Sequence, residues 1–314
     1  MTDALLPGWV TRMQSGFITV ETEAAGAVVC RLRGRLKQHR FEGDIAAIGD
    51  RVQITLLADG SGMIEKIEPR VRELSRMAPT PRGEYRQILL ANPDQVVLVF
   101  ACARPEPRLR MLDRFLVICE KEKIPALIVA NKVDLVGLAA AEEIFGGYSR
   151  LGYPVIYTAV RGGEGVAPGL GVADLHHRLT GRISGLAGPS GVGKSSLLNA
   201  IQPNLGLAVR AVSEATAKGR HTTVVREMFP LAGGGYVADL PGLKSLALWD
   251  TEPEELDGYF PELRSLVTEC QFNDCTHRVE PGCAVRRAVA EGRVAQARYE
   301  SYLRLRFGEG EEAY

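Results

Sequence analysis

The chain has 314 residues, of which 46% are hydrophobic and 24% charged, so it is long enough for two or three globular domains. Lys plus Arg and Asp plus Glu each number 38, so any nucleic-acid-binding surface must come from local segregation of charge rather than from net charge. The longest apolar run, residues 96–103, is shorter than the roughly 20 residues of a membrane helix, and no secretory signal is evident. We therefore expect a cytoplasmic protein without a membrane partner.

Residues 1–75 are predicted to form a barrel of short strands. The segments FITVET, GAVVCRLRGRLK, RVQITLLAD and GMIEKIEP are separated by Gly, Asp and Ser at turn positions. Short, evenly spaced strands in a unit of this size indicate a five-stranded barrel of the oligonucleotide-binding (OB) type. Residues 76–84, with two prolines, are predicted to be a linker.

One barrel segment carries alternating cations. If it is a strand throughout, these side chains share one face, which suits contact with phosphates. The residues alone favour equally a solvated edge strand whose charges prevent aggregation. The cations concerned are Arg31, Arg33, Arg35 and Lys37.

From residue 94 the pattern changes to alternating strands and helices, which indicates a parallel sheet. Predicted strands are QVVLVFA, ALIVAN, PVIYTAV, RISGLAG, VVREMFPL and GGYVADL, and predicted helices include LRMLDRFLVICEKEK, VGLAAAEEIF and ADLHHRL. We assign residues 76–248 to this α/β domain and residues 249–314 to a C-terminal α-helical domain.

The motif NKVD follows the buried strand ALIVAN and is suited to guanine recognition. Asp134 can accept from both guanine donors, which adenine lacks, so an unpaired carboxylate would reject ATP. Asn131 can bond the N7/O6 side, and the stem of Lys132 can lie along the ring. Thr158 and Ala159 end the next strand, where a backbone N–H can reach the guanine O6. The predicted base-binding residues are Asn131, Lys132, Val133, Asp134, Thr158 and Ala159.

The loop GPSGVGKSS fits G-x-x-x-x-G-K-[ST] between a strand and a helix, as a phosphate-binding loop (P-loop) requires. Its backbone N–H groups would face the β-phosphate, Lys194 would bridge the β- and γ-phosphates, and Ser195 would bind Mg²⁺. In DLPG, Asp239 can hold Mg²⁺ through a water, and Gly242 leaves its N–H for the γ-phosphate. The predicted loop contacts are Gly188, Pro189, Ser190, Gly191, Val192, Gly193, Lys194, Ser195 and Ser196.

A dense cysteine and histidine set lies near the C-terminus in the spacing C-x₄-C-x-H-x₅-C. Three thiolates and one imidazole fit a tetrahedral Zn²⁺ site with no open position, which indicates a structural rather than a catalytic ion. Disulfides are disfavoured in the cytoplasm. The predicted ligands are Cys270, Cys275, His277 and Cys283.

The base motif precedes the phosphate loop, which reverses the order of ordinary Ras-like GTPases and indicates a circular permutation (G4-G5-G1-G2-G3). The order NKVD, GPSGVGKSS, GRHTT, DLPG, with a barrel before it and a Cys/His cluster after it, resembles the YjeQ/RsgA family of ribosome-assembly GTPases over almost the whole chain. The resemblance implies GTP hydrolysis coupled to late maturation of the small (30S) ribosomal subunit, assembly-factor release and contact with 16S rRNA. It favours RNA binding by the barrel cations, and we expect a monomer that binds GTP and GDP.

Leu243 stands where Ras-type enzymes carry a Gln that orients the attacking water. The family resemblance assigns this role to His221 in GRHTT, and we add Lys194 as a catalytic residue. Thr222 or Thr223 would complete the Mg²⁺ shell, and we favour Thr223. A basic loop that only touches rRNA is the alternative for this segment.

Two other functions remain. Leu243 favours a zinc-dependent RNA-binding protein that uses GTP as a ligand without meaningful turnover. A P-loop enzyme that uses ATP is disfavoured by Asn131 and Asp134.

Overall fold

The computed structural model describes residues 5–14, 16–37, 43–80, 83–203, 226–240 and 251–308. Its sheets confirm the predicted α/β class, with a barrel before the permuted sheet. No helix in these ranges is long and apolar enough to cross a membrane.

The N-terminal barrel closes because its first and fourth strands pair. The strand order is β1-β2-β3-β5-β4, with β1 returning to β4. Inward residues such as Val10, Val20 and Ile64 are fully buried, which is the period-2 pattern of a strand with one face on a core. The strands are β1 (Leu6–Gln14), β2 (Phe17–Thr22), β3 (Gly26–Leu32), β4 (Arg51–Leu56) and β5 (Gly62–Ile67).

The predicted linker was wrong, because most of it lies in a hairpin. Strand β6 (Glu73–Thr80) pairs antiparallel with β7 (Gly83–Ala91). Side chains support the ladder, since Arg76 Nε donates to Gln87 Oε1 at 2.8 Å. The hairpin is a separate two-stranded sheet, in which a proline is tolerated because an edge strand need not donate every N–H.

The second sheet has the order β10-β9-β8-β11-β13-β12, parallel except for its last pair. Helices α1 and α2 contribute to one buried cluster and α3 and α4 to another, so both faces of the sheet are covered. The strands are β8 (Gln95–Ala101), β9 (Ala126–Asn131), β10 (Val155–Thr158), β11 (Ile183–Ala187), β12 (Arg226–Pro230) and β13 (Tyr236–Asp239). The helices are α1 (Leu109–Lys121), α2 (Leu138–Arg150), α3 (Val172–Leu179) and α4 (Lys194–Ile201).

Barrel and parallel sheet are joined by backbone pairing. Strand β1 pairs antiparallel with β12, with Arg12 opposite Glu227 and Met13 opposite Arg226. Arg226 also donates to Asp44 of the barrel at 2.9 Å. The two sheets are therefore continuous, and the barrel is fixed to the strand that neighbours β13.

The C-terminal region is a small helical unit with its own core. Phe260 and Tyr302 form an edge-to-face pair with ring centroids 5.7 Å apart. Val117 of α1 belongs to the same buried cluster, so this unit packs on helix α1 of the α/β domain. Its helices are α5 (Pro261–Arg264), α6 (Ala284–Ala290) and α7 (Gln296–Phe307), and Pro253–Tyr259 and Val267–Glu269 form 3₁₀ turns.

Candidate nucleotide and metal sites

The predicted nucleotide residues meet at one edge of the parallel sheet. Strands β9, β10, β11 and β13 are parallel, so Asn131, Thr158, Gly188 and Asp239, at or just after their carboxyl ends, lie on the same side. This edge is where parallel α/β sheets bind ligands.

The glycines of the phosphate loop are required by its conformation. Gly188 and Gly193 have φ values of 145° and 100°, which L side chains rarely adopt. A Cβ at Gly188 would lie 2.0 Å from the Val99 carbonyl oxygen, and one at Gly193 would lie 2.4 Å from Asn131 Nδ2. The loop therefore passes close to β8 and to the base motif, and it leads directly into α4.

Lys194 begins α4 and turns back over the loop. Its Nζ donates to the carbonyl oxygens of Gly188 at 2.8 Å and Pro189 at 3.0 Å. Ser195 and Ser196 occupy the first turn of α4, whose N-terminal N–H groups favour an anion. Ser190 is exposed at the tip of the loop. A cation and a helix N-terminus thus converge where phosphates would bind.

Asn131 joins the base motif to the phosphate loop. This side chain is 3% exposed. Its Nδ2 donates to the Val192 carbonyl at 2.8 Å, and its Oδ1 accepts from the Thr158 hydroxyl at 2.9 Å. Lys132 Nζ donates to the Gly191 carbonyl at 2.7 Å and also to that of Arg104. Hydrogen bonds therefore join the base motif to the phosphate loop and to the end of β10.

Asp134 lies in the 3₁₀ turn Val133–Leu135, half-buried beside the loop that contains Gly163. No hydrogen bond or ion pair of its carboxylate occurs within the described part of the chain, so it can accept from guanine. Ala159 differs from expectation, because its N–H already donates to the Leu170 carbonyl at 3.1 Å. A guanine O6 would have to compete with that carbonyl for the Ala159 donor.

Asp239 ends strand β13 and carries a buried carboxylate oxygen that a hydrated cation could satisfy. Its Oδ1 is buried and has no hydrogen-bond partner among the described residues, which is costly unless another group, a ligand or water satisfies it. Burial raises the pKa of Asp239, and the charge of Lys194 acts in the opposite direction. A hydrated Mg²⁺ fits this orphaned oxygen. Predicted partners His221, Thr223 and Gly242, together with Leu243, lie outside the described residues.

The four predicted zinc ligands converge. Their ligand atoms all lie within 4.8 Å of one another. His277 Nδ1 lies 3.4 Å from Cys283 Sγ and 3.6 Å from Cys270 Sγ, while its Nε2 lies 3.1 Å from Asp257 Oδ2. With Nδ1 facing the thiols, Nε2–H donates to Asp257, an arrangement typical of metal-bound histidines. Burial raises the pKa of Cys275 to about 12 in the metal-free chain, so metal binding must displace a proton.

The basic face predicted on the barrel is only partly formed. Strand β3 ends at Leu32, and Gly34–Lys37 form a 3₁₀ turn, so Arg33, Arg35 and Lys37 are not on the strand. The prediction that the four alternating cations share one strand face was therefore wrong. Arg33 and Arg35 instead both bond to the buried carboxylate of Glu65. Arg31, on the strand, lies over the Phe17 ring at 5.5 Å.

A family model described as the RsgA GTPase matches residues 67–249, and one described as the RsgA N-terminal domain matches residues 7–64. The chain belongs to the RsgA GTPase family. It is therefore a GTP hydrolase, which confirms the predicted enzyme class. The alternative of a protein that binds GTP without turnover is not supported.

Similar proteins match along nearly the whole chain. The "Small ribosomal subunit biogenesis GTPase RsgA" of Gemmatimonas aurantiaca is 46% identical, with 95% of this chain and 96% of the relative covered. Its counterpart from Thermotoga petrophila is 40% identical, with 95% of each covered. The crystal structure of YjeQ from Thermotoga maritima has a TM-score of 0.76 at 36% identity, covering 97% of this chain and 98% of that one. YloQ, described as a circularly permuted GTPase, has a TM-score of 0.72 at 32% identity, covering 96% and 94%.

Sequence reasoning missed two groups that support these sites. Asp257 lies 20 residues from His277, and Arg104 lies 28 from Lys132, so neither forms a pattern with its partner in the sequence. Only the fold brings them together. Thr158 was predicted, but its contact with Asn131 depends on the parallel register of β9 and β10.

Proposed function

We propose that this GTPase binds the small (30S) ribosomal subunit and couples GTP hydrolysis to late subunit maturation and release of the assembly factor. The proposal is supported by relatives whose names state small ribosomal subunit biogenesis. In this proposal the protein acts as a monomer in the cytoplasm, where ribosomes assemble, and its barrel contacts 16S rRNA.

The observation that carries the nucleotide chemistry is the convergence of Lys194, Asp239 and the base motif at one sheet edge. Asn131 and Asp134 recognise guanine, and Lys194 stabilises charge on the β- and γ-phosphates. Ser195, Thr223 and Asp239 are the residues that would hold Mg²⁺. The Mg²⁺ supplies neutralisation of phosphate charge when bound. His221 orients the attacking water.

We propose three domains with separate tasks: residues 1–75 bind RNA, 76–248 hydrolyse GTP, and 249–314 hold one structural Zn²⁺. The zinc assignment is supported by a closed set of three cysteines and one histidine, which leaves no position for a reacting water. The ion would stabilise the segment that follows DLPG in the chain.

Measured GTP turnover with and without purified small subunits tests the coupling. We expect slow turnover by the isolated protein, because Leu243 cannot orient water, and strong acceleration when a subunit favours the competent state. His221→Ala should remove most of the stimulated rate with little change in GTP affinity, since a water-orienting group acts in the transition state.

His177→Ala is the matched control, since this histidine lies in α3, and its stimulated rate should equal that of the wild type. Equal stimulation of the His221→Ala variant would remove His221 from the mechanism. If subunits leave the wild-type rate unchanged, the coupling proposal itself fails.

A further inference from the structure

The cations of the barrel differ in whether acidic groups already neutralise them. Arg33 and Arg35 share the carboxylate of Glu65, which is buried. Three other cations, Arg51, Lys66 and Arg72, form no ion pair with any residue in the described ranges. Because a carboxylate already neutralises much of the charge of a paired guanidinium, a cation without an ion pair attracts a phosphate more strongly.

Arg51, Lys66 and Arg72 line a single groove. It has a volume of about 430 Å³ and lies between the end of the barrel and the start of the parallel sheet. Val71, 85% exposed, lies on its wall. The Arg51 guanidinium stacks on the Trp9 ring at 4.6 Å, which restricts its orientation and favours a defined contact over a freely moving charge.

Two carboxylates also line the groove, and they limit its charge. Asp94 is committed to the fold, since its Oδ2 accepts from the Ile183 N–H at 2.7 Å. Glu68 is half-buried on the wall. Three cations against two carboxylates leave one net positive charge, which matches a singly charged phosphodiester better than a multiply charged phosphate monoester.

The groove is remote from the nucleotide site. Asp94 directly precedes β8 and bonds the first residue of β11, so it marks the amino ends of these strands. The nucleotide residues lie at the carboxyl ends, and the seven residues of β8 span roughly 20 Å. A ligand in the groove therefore contacts the barrel and the segment that leads into β8 without competing with GTP.

We propose that this groove, lined by Arg51, Lys66 and Arg72, binds the phosphodiester backbone of RNA and is a principal RNA contact of the protein. The inference rests on the proposed binding to the small ribosomal subunit and assigns that binding to a surface other than the one formed by Arg31, Arg33, Arg35 and Lys37. RNA held there would contact both the barrel and the segment that leads into the first strand of the sheet that carries the nucleotide site.

Charge reversal in the groove tests the proposal. For Lys66→Glu/Arg72→Glu, we expect about tenfold weaker binding to purified small subunits at ~0.1 M salt, and a salt slope reduced by about 1–2. GDP affinity and basal turnover should stay within about twofold, since each depends on the opposite edge of the sheet. The control Arg110→Glu/Arg150→Glu makes the same charge change at two exposed helical positions and should bind like the wild type.

The milder variant Lys66→Gln/Arg72→Gln should show a smaller loss in the same direction, and it serves if charge reversal impairs folding. Groove variants that bind subunits within about twofold of the wild type would overturn the inference while leaving subunit binding intact. Failure of the wild type to bind subunits would instead be a failure of the proposed function.

A photo-cross-linking residue, p-benzoylphenylalanine, at Val71 distinguishes RNA from protein as the occupant. We expect an adduct with the small subunit that is sensitive to ribonuclease. The same residue at Leu138, exposed at the start of α2, is the control and should give much less adduct. Adducts with ribosomal proteins alone, or none above this control, would contradict the proposal.

Discussion

Asp239 illustrates how a binding residue can cost stability when its ligand is absent. Burial raises the pKa of Asp239 above its ordinary value of 3.8, although Lys194 partly opposes this. Because the folded-state pKa is raised, the folded chain retains the proton to higher pH than the unfolded chain. Ionised Asp239 therefore destabilises the nucleotide-free fold at neutral pH, and the cost disappears as the pH falls through the folded pKa.

Asp239→Asn should accordingly raise the melting temperature of the nucleotide-free protein at pH 7, and the gain should shrink toward pH 3.8. It should also weaken Mg²⁺-dependent GTP binding about tenfold or more, because a charged contact is lost. Thermal unfolding across pH and fluorescent-nucleotide titration with and without Mg²⁺ measure both effects. The control Asp174→Asn, exposed on α3, should change neither, and a less stable Asp239→Asn protein would contradict the argument.

The zinc cluster shows how one turn depends on an element distant in sequence. His277 has a positive φ of 63° and is fully buried, so its ring orientation is set by its neighbours. Asp257, in the 3₁₀ turn Pro253–Tyr259, contacts the nitrogen that faces away from the thiols. Its carboxylate therefore fixes which nitrogen remains for the metal.

Asp257→Asn should weaken zinc binding about 10–100-fold while leaving all four ligands in place. A chelator competition with a chromogenic zinc indicator measures this affinity. Asp274→Asn is the matched control, because this exposed carboxylate lies in the same ligand-bearing segment. Unchanged affinity of the Asp257 variant would mean that the contact does not orient the histidine.

Elements whose conformation is determined by neighbouring residues in the sequence could be predicted, whereas those determined by pairing with a distant segment could not. The phosphate loop was predictable because its glycines, Lys194 and Ser195 are contiguous and each has a local reason. The hairpin β6–β7 was missed because Pro79 suggested a linker, whereas pairing between the two strands decided the structure. The end of β3 at Leu32 was missed because charge alternation continued beyond it into a 3₁₀ turn.

Two kinds of contact hold the molecule together. The barrel is joined to the parallel sheet by backbone pairing of β1 with β12, which no sequence motif predicts. The C-terminal unit is joined by side chains. Arg298 on α7 donates to Asp113 on α1 at 2.7 Å and to Glu262 at 2.6 Å, and the Tyr148 hydroxyl donates to Asp113 at 2.7 Å.

A second ion pair bridges the same two units but differs in burial. The side chains of Arg298 and Asp113 are 7% and 3% exposed, whereas those of Arg264 and Glu120 are 54% and 25% exposed. Removing a buried partner leaves its carboxylates desolvated without compensation, while removing an exposed one lets water replace it. The same substitution at these two arginines therefore distinguishes the effect of burying an ion pair from the effect of linking the two units.

Arg298→Met should destabilise the C-terminal unit by about 3–5 kcal/mol, because Asp113 and Glu262 would remain buried without their cation. Arg264→Met should cost less than about 1 kcal/mol. Hydrogen exchange of the α7 amides in zinc-loaded protein measures the difference without requiring whole-chain unfolding. Equal protection in the two variants would show that the buried cluster does not hold the C-terminal unit on helix α1. If only Arg298→Met loses protection of the α7 amides and zinc is retained, the buried cluster attaches the C-terminal unit independently of the metal.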